Sequence, residues 1–303
     1  MAPLAVGIDM GGTNIKGALV NDAGEVLAYK RIPTEAHGGV KHVLKLTADL
    51  VNELKGDRGA AVGIGIPGML DAKREVIINA PNLKWRNVPI KDLLKEVLPG
   101  EVSFDNDGNA AAMGEAWLGA GRGCGHFLLI TIGTGIGSGM ILDDKIYRGA
   151  NGLASELGHM TLFPGGRKCG CGKRGCLETL ASVSAILRMA EENGIRLRVP
   201  DIGEFFEQVY KGNEAAVRVL TEAMEYLSMG LANAAALIDP ALILVGGGAA
   251  EYGEVFLELL RRKFIEKLPV PRDVRIVRAQ LGNKAGALGA ARMAMLEMGV
   301  QYD

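Results

Sequence analysis

Runs of apolar residues broken by turn residues through "LAVGIDMGGTNIKGALVNDAGEVLAYKRI" predict three strands, Leu4 to Asp9, Ile15 to Val20 and Glu25 to Arg31, with "NDAG" turning the chain between the last two. The spacing then becomes helical: Val40, Val43, Leu44, Leu50, Val51 and Leu54 form one stripe. "AAVGIGI" returns to a buried strand. After a loop rich in Pro and Asn, "IKDLLKEVL" predicts a short helix, "EVSF" a strand, and "NAAAMGEAWLG" a helix opening beside Asp107.

Near Phe127 the opening shape returns. "HFLLITIGTGIGSGMILDDKIYRG" runs an apolar strand into a glycine-rich turn, a second strand, and a "DDK" turn to a third. The pattern predicts two related halves, each presenting a glycine hairpin. A helical pattern covers Leu177 to Asn193, and further helices run through Ile238. "PALILVGGGAAEYGEVFLELLRRKF" is then a buried strand, a glycine turn and an amphipathic helix, and "VRIVRA" and "KAGALGAARMAMLEMG" close the chain as strand and helix. Alternating strands and helices predict an α/β protein of two lobes. With "AWLGAGR" at residues 116–122 as the boundary, the expected domains are 1–117 and a larger 118–303, the last helix packing back on the first domain.

Composition narrows the function. The 303 residues carry 34 basic and 35 acidic side chains, so no net field points to nucleic acid or an anionic membrane as partner. The N-terminus has neither a basic region followed by an apolar run nor a membrane anchor, and four cysteines suit a reducing compartment; a cytoplasmic protein is expected. The 43 glycines exceed the roughly 7% of average usage.

Three glycine loops are candidates for phosphate. "GIGIPG" at residues 63–68 matches a dinucleotide fingerprint, but Pro67 and the non-helical stretch that follows remove the helix N-terminus such a site needs. "DMGGTNIKG" and "TIGTGIGSG" are each followed by a strand instead. Such hairpins present consecutive backbone N–H groups, glycine admits phosphate oxygens closely, and Thr13 and Thr134 add hydroxyls. Lys16 reaches the same region, and "VGGGA", containing Gly247 and Gly248, is a third loop. The set predicts a nucleotide held between lobes.

Three of the four cysteines, Cys169, Cys171 and Cys176, fall within eight residues, ten residues after His159. Three thiols cannot pair among themselves, whereas a tetrahedral Zn²⁺ site uses three thiolates and one imidazole. Cys124 is left over, as a small packed thiol. A second polar group gathers around "SFDNDGN": Asp105, Asn106, Asp107 and Asn109 exceed the needs of a helix cap, whose simplest candidate is Asp107. Asn82, Glu156, His159 and Glu178 add to it. Asn, Asp, Glu and His without a matching apolar run suit a ligand covered with hydroxyls, of which sugars are the obvious class. His159 has two readings here, metal ligand or sugar ligand.

These motifs together resemble the ROK kinases (repressor, open reading frame, kinase) of the actin/hexokinase superfamily, over essentially the whole chain. "DMGGTNIKG" is similar to the first phosphate motif, "GTGIGSG" to the second, "ELGHM" to E-x-G-H and "CGCGKRGCLE" to C-x-C-G-x-x-G-C-x-E. Within the family, bacterial ATP-dependent glucokinases are most similar, through "PNLKWRNVPIK", "DNDGNAAAMGEAWLGAG" and "LILVGGG", although Asp105 and Gly108 stand where such proteins often read "ENDAN". The resemblance implies a two-lobed, ribonuclease H-like fold with a cleft between lobes. It implies Asp107 as general base on the 6-hydroxyl of glucose, with Gly68, Asn82, Asn106, Glu156, His159 and Glu178 on the sugar. ATP is expected against Asp9, Gly11, Gly12, Thr13, Asn14, Lys16, Thr134, Gly135, Gly137, Gly247 and Gly248, with Mg²⁺ near Asp9.

The resemblance also implies structural zinc on His159, Cys169, Cys171 and Cys176, and a homodimer. A kinase for N-acetylmannosamine, N-acetylglucosamine, fructose or a broad set of hexoses is the alternative, and phosphate loops do not distinguish ATP from ADP or polyphosphate. A sugar-responsive repressor is the less favoured reading, because Asp9 lies only eight residues from the start and leaves no room for a DNA-binding module.

Overall fold

The structure, a computed structural model, describes residues 3–199 and 201–299. The predicted opening strands form as β1 (Leu4–Met10), β2 (Asn14–Asn21) and β3 (Val26–Pro33), followed by helix α1 (Gly39–Lys55) and strand β4 (Ala61–Ile66). The Pro- and Asn-rich loop then holds three short strands, β5 (Met69–Leu70), β6 (Ile77–Ala80) and β7 (Trp85–Val88), before α2 (Ile90–Val97), β8 (Val102–Asn106) and α3 (Asp107–Leu118). The small antiparallel sheet β5-β6-β7 departs from the expected loop. Strands of two to four residues carry too little alternation to be read. They are fixed instead by Asp71, which accepts the N–H groups of Glu75 at 2.6 Å and Val76 at 2.9 Å. Those bonds, Val76 foremost, hold its carboxyl below the usual range.

Strand β1 pairs antiparallel with β2 and parallel with β4, and β4 pairs parallel with β8, giving the order β3-β2-β1-β4-β8. The two-residue period of β1 divides its side chains between two cores: Val6, Ile8 and Met10 join a cluster with Val43, Leu44, Leu50, Val51 and Leu54 of α1, while Ala5 faces the other side.

The chain continues with β9 (Phe127–Ile132), β10 (Ile136–Leu142), β11 (Lys145–Ile146), α4 (Glu178–Ala181), α5 (Val183–Glu192), α6 (Ile202–Tyr210), α7 (Glu214–Ile238), β12 (Leu242–Gly246), α8 (Glu254–Lys267), β13 (Arg275–Arg278) and α9 (Ala285–Glu297). The second large sheet has the order β11-β10-β9-β12-β13. Both sheets therefore place their third, second, first, fourth and fifth strands in the same sequence, as the repeated glycine hairpins predict. The helix expected from Leu177 to Asn193 is broken at Ser182, which is extended and caps α5 by accepting the N–H of Ala185 at 3.1 Å.

The described residues form two compact units, one reaching Gly125 and regaining Gly139–Ser155 and the segment from Gln280 onward, the other holding His126–Ser138 and Glu156–Ala279. In the first unit α9 lies against β1, β4 and α3. The approach is so close that a Cβ on Gly7 would stand 1.8 Å from the carbonyl oxygen of Ala287, and one on Gly63 1.8 Å from that of Ala290. Gly7→Ala must push α9 off the sheet. We expect it to cost about 3 kcal/mol, the upper end of overpacking costs, measured as a lowered midpoint of urea unfolding; an unchanged midpoint would mean the contact gives way freely. Among the described residues no helix is long and apolar enough to cross a membrane.

Candidate functional site

Because β1, β4 and β8 run parallel, their carboxyl ends share one edge of the sheet, the place where open α/β sheets bind ligands. β8 delivers Asn106 and Asp107 there. Asn106, and not Asp107, is the cap of α3: its Oδ1 accepts the N–H groups of Gly108 at 2.8 Å and Asn109 at 3.2 Å, while its Nδ2 donates to the carbonyl of Gly68 at 3.0 Å. Asp107 is thus the first helical residue, half-buried, with its Oδ1 accepting the N–H of Gly108 at 2.9 Å.

At the end of β1 the antiparallel register sets Asp9 opposite Lys16, and the two form an ion pair at 3.0 Å. The turn between β1 and β2 is closed by Gly11 N–H on the carbonyl of Asn14 at 2.9 Å, leaving Thr13 exposed. Gly12 lies against the loop of Asn82, where a Cβ would come within 3.0 Å of the Asn82 Cβ. The first unit therefore brings Gly68, Asn106 and Asp107 into one hydrogen-bonded group and sets Asn82 against the first hairpin.

The second unit holds the other candidates. Its hairpin is closed by Gly133 N–H on the carbonyl of Gly135 at 2.9 Å, again with an exposed threonine, Thr134. Gly247 packs on the end of β9, with room for no Cβ beside the Ile132 backbone. Glu178, the first residue of α4, points back to the hairpin, where its Oε2 accepts the N–H of Ile136 at 3.0 Å. A Cβ on Gly135 would lie 2.2 Å from that oxygen, so the glycine here serves close packing of Glu178. Glu156 lies 4.0 Å from Nε2 of His159. Burial pushes its carboxyl up, the charge of Glu178 adds to this, and His159 opposes it.

His159, Cys169, Cys171 and Cys176 converge, with their ligand atoms all within 4.8 Å of one another. Cys169 Sγ stands 3.6 Å from Nδ1 of His159, and Cys171 Sγ 3.7 Å from Cys176 Sγ. Zinc bonds of about 2.3 Å to sulfur and about 2.0–2.1 Å to nitrogen imply tetrahedral edges of about 3.8 Å between sulfurs and about 3.6 Å between sulfur and nitrogen, so the set fits Zn²⁺. Burial raises the thiols of Cys169 and Cys176, that of Cys169 strongly. Metal binding must release these protons, and protons therefore compete with the metal. In the presence of a chelator, zinc held at about pH 8 is expected to be lost as the pH falls towards about 5; a zinc content independent of pH would mean that thiolates do not hold it.

The ROK family model matches residues 5–297. The chain belongs to the ROK family. It is 37% identical to the glucokinase of Halalkalibacterium halodurans, over 94% of this chain and 92% of that protein. Its fold is similar to the crystal structure of a ROK family glucokinase from Streptomyces griseus in complex with glucose and AMPPNP, with a TM-score of 0.86 and 33% identity over 97% of this chain and 99% of that one. The ROK hexokinase of Thermus thermophilus gives a TM-score of 0.84 and 38% identity, over 98% of this chain and 99% of that one. The α/β architecture is thus actin/hexokinase-like, with two lobes.

Within this ROK framework two residues went unread in the sequence. Ser138 accepts the N–H of Leu157 at 3.1 Å, tying the second hairpin strand to the Glu156–His159 turn. Arg148 reaches Asp105 at 2.5 Å. The first had a weak signal, a serine in an otherwise apolar strand. The second had none, because 43 residues separate the partners.

Proposed function

We propose that this protein transfers the γ-phosphoryl group of ATP to the 6-hydroxyl of glucose. The reading is carried by Asp107, a carboxylate at the carboxyl edge of a parallel sheet and the first residue of a capped helix, in a chain similar to ROK glucokinases throughout its length. The first hairpin (Gly11, Gly12, Thr13 and Asn14) and the second (Thr134, Gly135 and Gly137), with Gly247 and Gly248, bind the nucleotide phosphates through backbone N–H groups other than those of Gly11 and Ile136, which close on Asn14 and Glu178, and Lys16 adds positive charge. Asp9 would hold Mg²⁺, which neutralises phosphate charge when bound. Gly68, Asn82, Asn106, Glu156, His159 and Glu178 bind and orient the sugar hydroxyls. Asp107 then accepts the 6-hydroxyl proton as the oxygen attacks phosphorus and ADP leaves. Since phosphoryl transfer passes through a loose transition state, positioning and charge supply most of the acceleration.

Zinc in this reading is structural, because four protein ligands leave no open position. Bound through Nδ1, His159 would keep its Nε2 for Glu156 or a sugar hydroxyl. A homodimer in the cytoplasm follows from the family resemblance and the cysteine usage. A coupled assay across hexoses and phosphoryl donors tests the proposal. Glucose with Mg-ATP is expected to lead in kcat/KM, and preference for an N-acetylated hexose or polyphosphate would replace it by another ROK kinase.

A further inference from the structure

Asp105 is a carboxylate two residues before the proposed base, and its side chain is only 4% exposed. A charge so buried requires partners. One of its oxygens, Oδ2, takes the Nε of Arg148 at 2.5 Å, and an Nη of Arg74 stands 4.0 Å from the same atom. Arg74 is itself anchored, donating to the carbonyl of Phe104 at 3.1 Å. The other oxygen, Oδ1, is turned to the start of α3: it accepts the backbone N–H of Asn106 at 2.7 Å and Nδ2 of Asn109 at 2.9 Å.

These two contacts bracket Asp107 in the chain. Asn106 caps the helix that Asp107 begins, and Asn109 is a buried member of its first turn. The Asp105 carboxylate therefore connects a cation just beyond β11 to the turn that aims the base, and a carboxylate with one face neutralised and the other occupied by two donors cannot rotate without breaking three hydrogen bonds. We infer that Asp105, held by Arg148, is a positioning residue for the reaction: the pair fixes the direction of the "DNDGN" turn and hence of the Asp107 carboxylate, without touching substrate. The inference rests on Asp107 being the base, as proposed above.

Steady-state kinetics and amide hydrogen exchange on the wild type, Arg148→Met, Arg148→Lys, Asp105→Asn and the double variant Arg148→Met/Asp105→Asn test it. Arg148→Met leaves the buried Asp105 carboxylate with Arg74 as its nearest cation and lowers stability, whereas the double variant removes the buried charge as well, so the two together separate misaiming of the base from loss of stability. Arg148→Met is expected to lower kcat about 10- to 100-fold, with KM for glucose and ATP changed less than about threefold, because a misaimed base affects the chemical step. Arg148→Lys keeps the charge and recovers part of the loss. The double variant is no slower than the worse single one, since the two residues act as a unit. Exchange at the amides of residues 106–109 quickens in Arg148→Met. An unchanged kcat, or a loss of melting temperature alone, overturns the inference. Should the wild type phosphorylate no sugar, the functional proposal fails, and the exchange data then decide the positioning role separately: unchanged exchange at residues 106–109 overturns it.

Discussion

Asp107→Asn is expected to lower kcat by about 10²- to 10⁴-fold, the range that a positioned general base supplies, with KM for glucose changed only a few fold. The substitution is nearly isosteric. It leaves the cap of α3 intact, because Asn106 and not Asp107 supplies the capping oxygen, and an asparagine oxygen can still accept the Gly108 N–H. What disappears is the ability to take a proton from the sugar. Circular dichroism and melting temperature should match the wild type, so a fall in kcat reads the chemistry. Activity above about one tenth of wild type would place the base elsewhere, since general-base assistance is worth at least ~10²-fold.

Cys176→Ala should act on binding instead. Cys176 is fully buried and pairs through its backbone with Thr161, so it ties the cysteine loop to the strand-like segment after His159. With three ligands left, zinc is expected to be lost on dialysis against a chelator. His159 then loses the restraint on its ring, and Glu178, whose Oε1 lies 3.5 Å from Cys169 Sγ, loses an ordered neighbour. We expect glucose KM to rise about 10- to 100-fold, the usual cost of removing a restraint around a metal-held ligand. Zinc content and KM both unchanged would rule the metal centre out; zinc lost with KM unchanged would confine it to stability.

The sequence made the frame of both sites legible because glycine and cysteine are demanding residues. A tight hairpin between strands needs glycine, a metal needs donors at short spacing, and neither requirement depends on distant parts of the chain. The halves could be matched for the same reason. What escaped was set by tertiary context. The sheet of β5, β6 and β7 depends on Asp71 holding a turn. Asn106 displaced Asp107 as cap because α3 begins at Asp107, two residues before the start of "NAAAMGEAWLG", and Lys16 pairs with Asp9 only through the β1–β2 register. The break at Ser182 was carried by a familiar cap residue, yet helical spacing on either side concealed it.

The arrangement of α9 on β1 and β4 also has a temporal meaning. The helix that closes the first unit is drawn from the last part of the sequence and packs on strands made first, so those strands wait with one face unfilled while the chain is synthesised. Residues 126–138 and 156–279, by contrast, are complete before α9 exists. Every residue of the second unit therefore leaves the ribosome before the helix that completes the first, and the face of β1 and β4 that Gly7 and Gly63 open to α9 is the last part of the first unit to be covered.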